Sequence, residues 1–206
     1  MEFDLSSKEQ FSAKVQELIA EGYGPFSIAI VDIDNFANIN RTYGSKIGDE
    51  ALKKLTSVLR QNLSESDLVM RRGDEFSLLL IDKGAERSFM ELEEIRRYLS
   101  DNFFDLNCED RTENVYITIS CGIASYPRDA KNSIELFRVA DSSLFRAKKL
   151  GKNKVCLSEA ESMVLKSSYF TKTQVDRLAE LAKQSDKTEA FLLREALDDL
   201  FKKYSQ

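Results

Sequence analysis

The stretch that most constrains this chain is Met70–Phe76, M-R-R-G-D-E-F, set between two runs of strand character. Asp67–Met70 reads as a short strand and Ser77–Ile81 as an apolar run of strand length. A Gly between two such runs marks a tight hairpin, because Gly tolerates the positive φ angles that hairpin turns need. The hairpin tip carries Asp74 and Glu75 side by side. Adjacent carboxylates repel one another and favour neither strand nor core. Alone, the pair reads as a solvated turn; it gains meaning where the rest of the chain supplies something for two negative charges to hold.

Composition narrows what that something is. The 206 residues contain no histidine, which removes His-based triads, His metal sites and His general bases. Catalysis in such a chain rests on carboxylates, lysines and metal ions. The length suits one domain of usual size plus a small one. With 42% hydrophobic and 32% charged residues, the chain reads as a soluble, well-folded protein. It lacks an apolar run of the roughly 18 residues a membrane span needs, and the acidic start Met1-Glu2-Phe3-Asp4 does not read as a signal peptide. Cys108, Cys121 and Cys156 are odd in number and show no metal-ligand spacing, which suits reduced thiols in a cytoplasm. The net charge of −5 gives no general attraction to nucleic acid or membrane.

Along the chain, Ser6 or Ser7 can cap a first helix with Phe11, Val15, Leu18 and Ile19 on one face, ending near Gly22 and Gly24. Pro25 opens Phe26–Asp32, an almost continuously apolar run expected of a buried strand. It ends in Asp32-Ile33-Asp34, carboxylates at a strand's C-terminal edge, where sheet proteins place sites. A helix is predicted from Asp49, with Leu52, Leu55, Val58 and Leu59 as its stripe. Another follows over roughly 88–104. Val115–Cys121 alternates and is β-branched, hence a strand. A helix over Ile134–Leu150, stopped by Gly151, and a short strand Val155–Leu157 complete residues 1–158. The fold class is α/β, with helices packed on a central, mainly antiparallel sheet.

Four segments now stand in order: V-D-I-D-N-F-A-N-I-N-R-T-Y-G-S-K-I-G-D-E (31–50), R-R-G-D-E-F (71–76), I-T-I-S-C-G-I-A (117–124) and A-D-S-S-L-F-R-A-K-K-L-G-K-N (140–153). In that order and at those separations they resemble the GGDEF family, the diguanylate cyclases, which share a nucleotidyl-cyclase-like fold and condense two GTP molecules into cyclic di-GMP. The resemblance implies Mg²⁺, or Mn²⁺, held by Asp32 and Asp74 with the Ile33 carbonyl. A 3′-hydroxyl is a poor nucleophile, and a bound cation can lower its pKa and neutralise the triphosphate. Glu75 is the second acid of the signature, although neighbours on a strand point to opposite faces. Asn40 and Asp49 would read the guanine edge; Asp49 also suits a helix N-cap. Lys148 and Lys152 would meet the phosphates, or simply end a solvated helix. Gly73 would let the backbone approach the nucleotide, and Phe36 reads as packing beside it. The signature departs from the family's pair of glycines: only Gly73 is present and Arg72 fills the other place, or one glycine is deleted. Ala37 stands where a lysine is common and Ser45 where a histidine is common. Of the family's product-inhibition motif, Asp67 matches the aspartate, while Ser64 replaces the arginine.

Residues 159–206 read as a separate module. Met163–Phe170 has strand character; Thr171 can cap a helix carrying Val175, Leu178, Ala179 and Ala182; Thr188 can start a second with Leu192, Leu193, Ala196, Leu197, Leu200 and Phe201. The segment resembles a ribbon-helix-helix unit, a strand and two helices too small to close a core alone. It predicts a homodimer through residues 163–206. Its charges nearly balance, so DNA, whose phosphates supply most non-specific affinity, is the less favoured partner. Only about two dozen residues precede Phe26, so the tail is expected to take the place of an input domain.

Overall fold

In the computed structural model, residues 5–108, 111–158 and 170–185 are described, with positions 189, 192, 193, 196, 200 and 203. In chain order the elements are α1 (Lys8–Ala20), β1 (Phe26–Ile33), α2 (Phe36–Tyr43), α3 (Ser45–Asn62), β2 (Leu68–Arg72), β3 (Glu75–Ile81), α4 (Ala85–Ser100), β4 (Phe103–Cys108), β5 (Arg111–Tyr116), β6 (Ile119–Tyr126), α5 (Ser133–Lys149), β7 (Val155–Leu157) and α6 (Lys172–Ser185). The chain divides into two units, 1–161 and 162–206.

The unbroken apolar run of β1 has its cause in the topology. The sheet order is β2-β3-β1-β6-β7, with β1 in the middle and antiparallel to both β3 and β6. Only the β6–β7 pair is parallel. Alternate residues of β1 face opposite layers. Phe26, Ile28 and Ile30 pack with Phe11, Val15 and Leu18 of α1 and with Leu136, Ala140 and Leu144 of α5. Ala29, Val31 and Ile33 pack with α3, α4 and the β4–β5 hairpin. Both faces are covered, so no polar alternation survives in the sequence. Even Ser27 is buried, donating to the Lys83 carbonyl at 2.9 Å and meeting Ser125.

The helix α1 begins as the sequence predicts: Ser7 accepts from the Gln10 amide and Gln10 bonds back to the Ser7 amide, a capping box. On the same side of the sheet, Gly122 lets α5 press onto β6. A Cβ at Gly122 would stand 2.1 Å from the Leu144 nitrogen and 2.2 Å from the Ala140 carbonyl oxygen. This close approach fixes where α5 projects its polar side chains.

Several boundaries differ from expectation. The helix predicted from Asp49 starts at Ser45, and the unforeseen α2 precedes it. Asp49 is therefore an exposed residue of the second turn and not an N-cap. The helix predicted to reach residue 104 stops at Ser100; Phe103 and Phe104 open β4, where Phe104 is buried. Val115–Cys121 is not one strand, because β5 ends at Tyr116 and β6 starts at Ile119. All three cysteines are free thiols, and burial pushes the Cys121 thiol upward. No helix among the described residues is long and apolar enough to cross a membrane.

In the second unit, α6 starts as expected: Thr171 accepts from the Gln174 amide at 3.3 Å, and Gln174 accepts from the Thr171 amide at 2.9 Å. Leu178, Ala179 and Ala182 are at least half-covered, while Val175 is exposed. The expected strand over 163–170 lies outside the described residues except for its last position. Of the expected second helix, Leu192, Leu193, Ala196 and Leu200 are described and helical.

Candidate active site

The register of β1 against β3 sets Asp32 directly opposite Glu75. Cross-strand partners share a face, and this face continues inward through Ile30, Ile28 and Leu79 beneath α5. Arg72 pairs with Glu75 across β2 and β3, so the hairpin turn consists of Gly73 and Asp74 alone. Gly73 has φ +66° with open space around it. The requirement there is conformational: a two-residue turn with positive φ at its first position takes Gly. Arg71 braces the turn, its Nε donating to the Gly73 carbonyl at 2.7 Å. Asp74 lies in the turn, so the opposite-faces rule for strand neighbours does not separate it from Glu75.

From the helix layer, Lys148 reaches Asp32, with Nζ 2.9 Å from Oδ2. Lys148 is thus part of the site and not merely a solvated helix end. Asp141, two helical turns earlier on the same side of α5, adds a further negative charge facing Glu75. Burial pushes the Asp32 carboxyl above its ordinary value, with the charges of Asp74 and Asp34 acting the same way and Lys148 opposing them. Glu75 is raised too, first by burial, then by Asp141 and Asp32, against the pull of Lys148 and Arg72. Four acids around one lysine leave a negative excess. Among the described residues no group of three or more acidic or thiol side chains forms a finished metal cage. The carboxylates of Asp32 and Asp74 beside the β1 terminus nevertheless make a hard oxygen donor set whose mutual repulsion a divalent cation would relieve. The residues fit a metal.

Two further features surround this cluster. Lys152, with φ +63°, donates to the Asn35 side-chain oxygen at 2.5 Å, which ties the loop after α5 to the loop after β1. Asp34 is buried and accepts from Thr118 Oγ1 at 3.0 Å, Ser120 Oγ at 2.6 Å and the Asn153 amide at 2.8 Å. Ile33 ends β1, its side chain fully buried in the core.

Asn40 and Asp49, expected at the guanine edge, lie on α2 and α3. The Asn40 side-chain oxygen is buried without a hydrogen-bond partner. It lies over α3, since a Cβ at Gly48 would stand 1.8 Å from it and 3.3 Å from the Phe36 ring. Phe36 packs against the core and backs this amide, the packing role the sequence suggested. An orphaned buried amide oxygen is an acceptor that a donor from water or a ligand would satisfy.

Asp67 stands apart. Its carboxylate accepts from the Ser64 amide at 2.8 Å, the Ile81 amide at 2.9 Å and Lys83 Nζ at 2.5 Å. Both side chains are buried, and Lys83 also meets Glu91 at 2.8 Å.

Sequence reasoning missed Asp141 and Asn35, and marked Asp34 only as a carboxylate at the strand's edge. The first was accessible: A-D-S-S-L-F-R-A-K places Asp141 seven residues before Lys148, two turns along one helix face.

Comparison with known proteins bears on the family and the fold. The family profile described as "Diguanylate cyclase, GGDEF domain" matches residues 4–154. The chain is 33% identical over 140 residues to the probable diguanylate cyclase DgcT of Escherichia coli, which covers 66% of this chain and 30% of that protein. Among solved structures, the GGDEF domain of PA1120 from Pseudomonas aeruginosa superposes with a TM-score of 0.69 at 27% identity, over 77% of this chain and 99% of that one. The GGDEF domain of DgcB from Caulobacter crescentus, in complex with c-di-GMP, gives 0.68 at 26% identity over 76% and 92%. A mixed α/β fold with a mainly antiparallel sheet is thus shared with solved GGDEF domains. The chain belongs to the GGDEF family. It spans less than half the length of the curated relatives it matches.

Proposed function

We propose that this protein is a diguanylate cyclase that condenses two GTP molecules into cyclic di-GMP. The observation that carries the reading is the Asp32–Glu75 pair, set face to face by strand register, with Asp74 at the turn and Lys148 bonded to Asp32. Asp32, Asp74 and the Ile33 carbonyl would hold Mg²⁺, which supplies charge neutralisation at the triphosphate and acidifies the attacking 3′-hydroxyl. Lys148 and Lys152 bind phosphate oxygens and orient the chain of phosphates. Asn40, with its unpartnered oxygen, and Asp49 take the guanine edge: an amide and a carboxylate match its acceptor and donor groups. Incubation of the purified protein with Mg²⁺ and GTP should yield cyclic di-GMP, and Asp74→Ala should abolish it. Product formation that persists in Asp74→Ala would assign the chemistry elsewhere.

Each site holds one GTP, so turnover needs two protomers facing one another. The described part of residues 162–206 supports self-association, because Phe170, Val175, Leu181, Leu193 and Leu200 are all exposed. Such apolar exposure on a small unit suits a ribbon-helix-helix-like pairing between copies. Light scattering should show the full chain as a dimer and Val175→Glu/Leu181→Glu as a monomer with lost turnover.

Feedback through Asp67 is absent on this reading. Its carboxylate is consumed by Lys83 and two amides, and Ser64 offers no guanidinium. Saturating cyclic di-GMP should leave the initial rate unchanged.

One observation favours a second reading, a GGDEF protein that binds nucleotide without turnover. The hairpin turn has only two residues, with the charged Arg72 pairing with Glu75 where the family has glycine. GTP binding without product would select it.

A further inference from the structure

On the outer side of α5 the structure has a cavity of about 850 Å³, lined in part by Arg128, Arg138, Ser142, Phe145, Arg146 and Lys149. Its helical members, 138, 142, 145 and 149, recur at the spacing of one helix face. That stripe is turned by roughly a quarter revolution from Asp141 and Lys148, so the cavity is distinct from the candidate active site. The volume is in the range of small-molecule pockets.

Four cations line it against one acid, Asp129, in a chain whose net charge is −5. The excess is therefore local and not a consequence of overall composition. Two of the guanidiniums are held in place from behind. Arg128 is braced by Glu86 at 2.8 Å and Asp129 at 2.9 Å. Arg146 donates to the Leu157 carbonyl, a backbone tether from helix to edge strand. Phe145 is 61% exposed, with the Lys149 ammonium 5.3 Å from its ring centroid. An exposed aromatic ring is poorly placed for a core and well placed for a planar ligand.

From this we infer a second, phosphate-binding nucleotide site on α5, which takes a nucleoside diphosphate or similar ester with its base on Phe145 and its phosphates among Arg128, Arg138 and Lys149. The inference goes beyond the cyclase reading and does not depend on it. Arginine forks match phosphate oxygens in pairs, and the ring supplies the stacking surface that inorganic phosphate cannot use.

The test is calorimetric titration of the full chain with ADP and, separately, with inorganic pyrophosphate. ADP should bind saturably and about tenfold more tightly than pyrophosphate, the difference expected of one stacked base. Arg138→Ala/Lys149→Ala should weaken ADP by about tenfold or more, through loss of two charged phosphate contacts. Phe145→Ala should reduce ADP to the pyrophosphate level, and Lys148→Ala should leave ADP binding unchanged. Circular dichroism spectra of the variants, matched to the parent, exclude unfolding as the cause. No saturable binding of either probe overturns the inference, as does ADP binding that is lost in Lys148→Ala but kept in Arg138→Ala/Lys149→Ala. Equal affinity for ADP and pyrophosphate overturns the base contact. Binding of a DNA duplex but not ADP, lost in the same double variant, would replace a nucleotide site with a polyanion surface.

Discussion

Gly48 offers a direct test of the proposal that Asn40 takes the guanine edge. In Gly48→Ala the new methyl would stand 1.8 Å from the Asn40 side-chain oxygen and 3.0 Å from its Cγ. The first distance is far too short for two atoms and the second is tight, so one group must move. Gly48 lies inside α3 and the atom it meets ends a short side chain, so the Asn40 amide swings away and the helix stays. Stability should change little, because an alanine in a helix gains about 1 kcal/mol over glycine and the displaced rotamer takes back a similar amount. Recognition should suffer: losing two hydrogen bonds to a base at about 1 to 1.5 kcal/mol each weakens binding by roughly 30- to 150-fold. The assay is the KM for GTP with kcat measured alongside, together with thermal unfolding. KM should rise by this factor, while Tm stays within about 3 °C. Asn40→Ala should give the same KM. In that background Gly48→Ala should leave KM alone and raise Tm by about 2–4 °C, since the clash is gone and helix propensity remains. Independent, additive losses of GTP affinity in the double variant would refute the reasoning, as would an unchanged KM in Gly48→Ala.

Three other perturbations act on different parts of the frame. Gly122→Ala meets backbone atoms of α5 at 2.1 and 2.2 Å, so the helix itself must shift; a loss of about 3 kcal/mol is expected, read as a lower denaturation midpoint with activity falling in step as Lys148 and Asp141 move. Lys83→Met leaves the Asp67 and Glu91 carboxylates without their shared cation, which should cost about 3–5 kcal/mol, measured by urea unfolding. Glu75 and Asp32 have raised carboxyl pKa values, so the native state holds protons more tightly than the unfolded chain and metal-free stability falls as pH rises beyond the ordinary values of 3.8 and 4.5. Glu75→Gln should flatten that slope and raise Tm at pH 7; a Tm at pH 7 below that of the parent would contradict the acid crowding.

What the sequence made legible follows the physics of each segment. The hairpin could be read because only a Gly-containing tip joins two apolar runs so closely, and β1 because burial on both faces leaves it apolar. Asp32, Glu75 and Lys148 carried enough of the signature to be singled out. The helix α2 was hidden because Phe36-Ala37-Asn38-Ile39-Asn40-Arg41-Thr42-Tyr43 is short and holds one buried residue, Ile39, against several turn-favouring polar ones. The end of α4 was hidden because the aromatic pair Phe103-Phe104 extends an apolar pattern that the chain uses for a strand. The partners of Asp67 were beyond local reading: Lys83 lies 16 residues away and Ile81 14, and neither spacing belongs to a helix or a turn.

Asp32 and Asp34, one residue apart, show why a carboxylate at a strand end cannot be assigned from position alone. Asp32 keeps the strand's alternation and faces Glu75, where among the described residues it pairs with Lys148 and has no neutral donor. Asp34 follows the strand, with its amide on the Thr118 carbonyl, just before Asn35 turns the backbone left-handed at φ +56°. Its oxygens take three donors from 84, 86 and 119 residues away, which satisfies a buried charge that would otherwise be costly. Those donors belong to the entry of β6 and to the loop that carries Lys152. By binding them, Asp34 fixes the spacing between the end of β1 and the lysine-bearing end of α5. Asp34 does no chemistry of its own; it sets the geometry in which Asp32 and Lys148 meet.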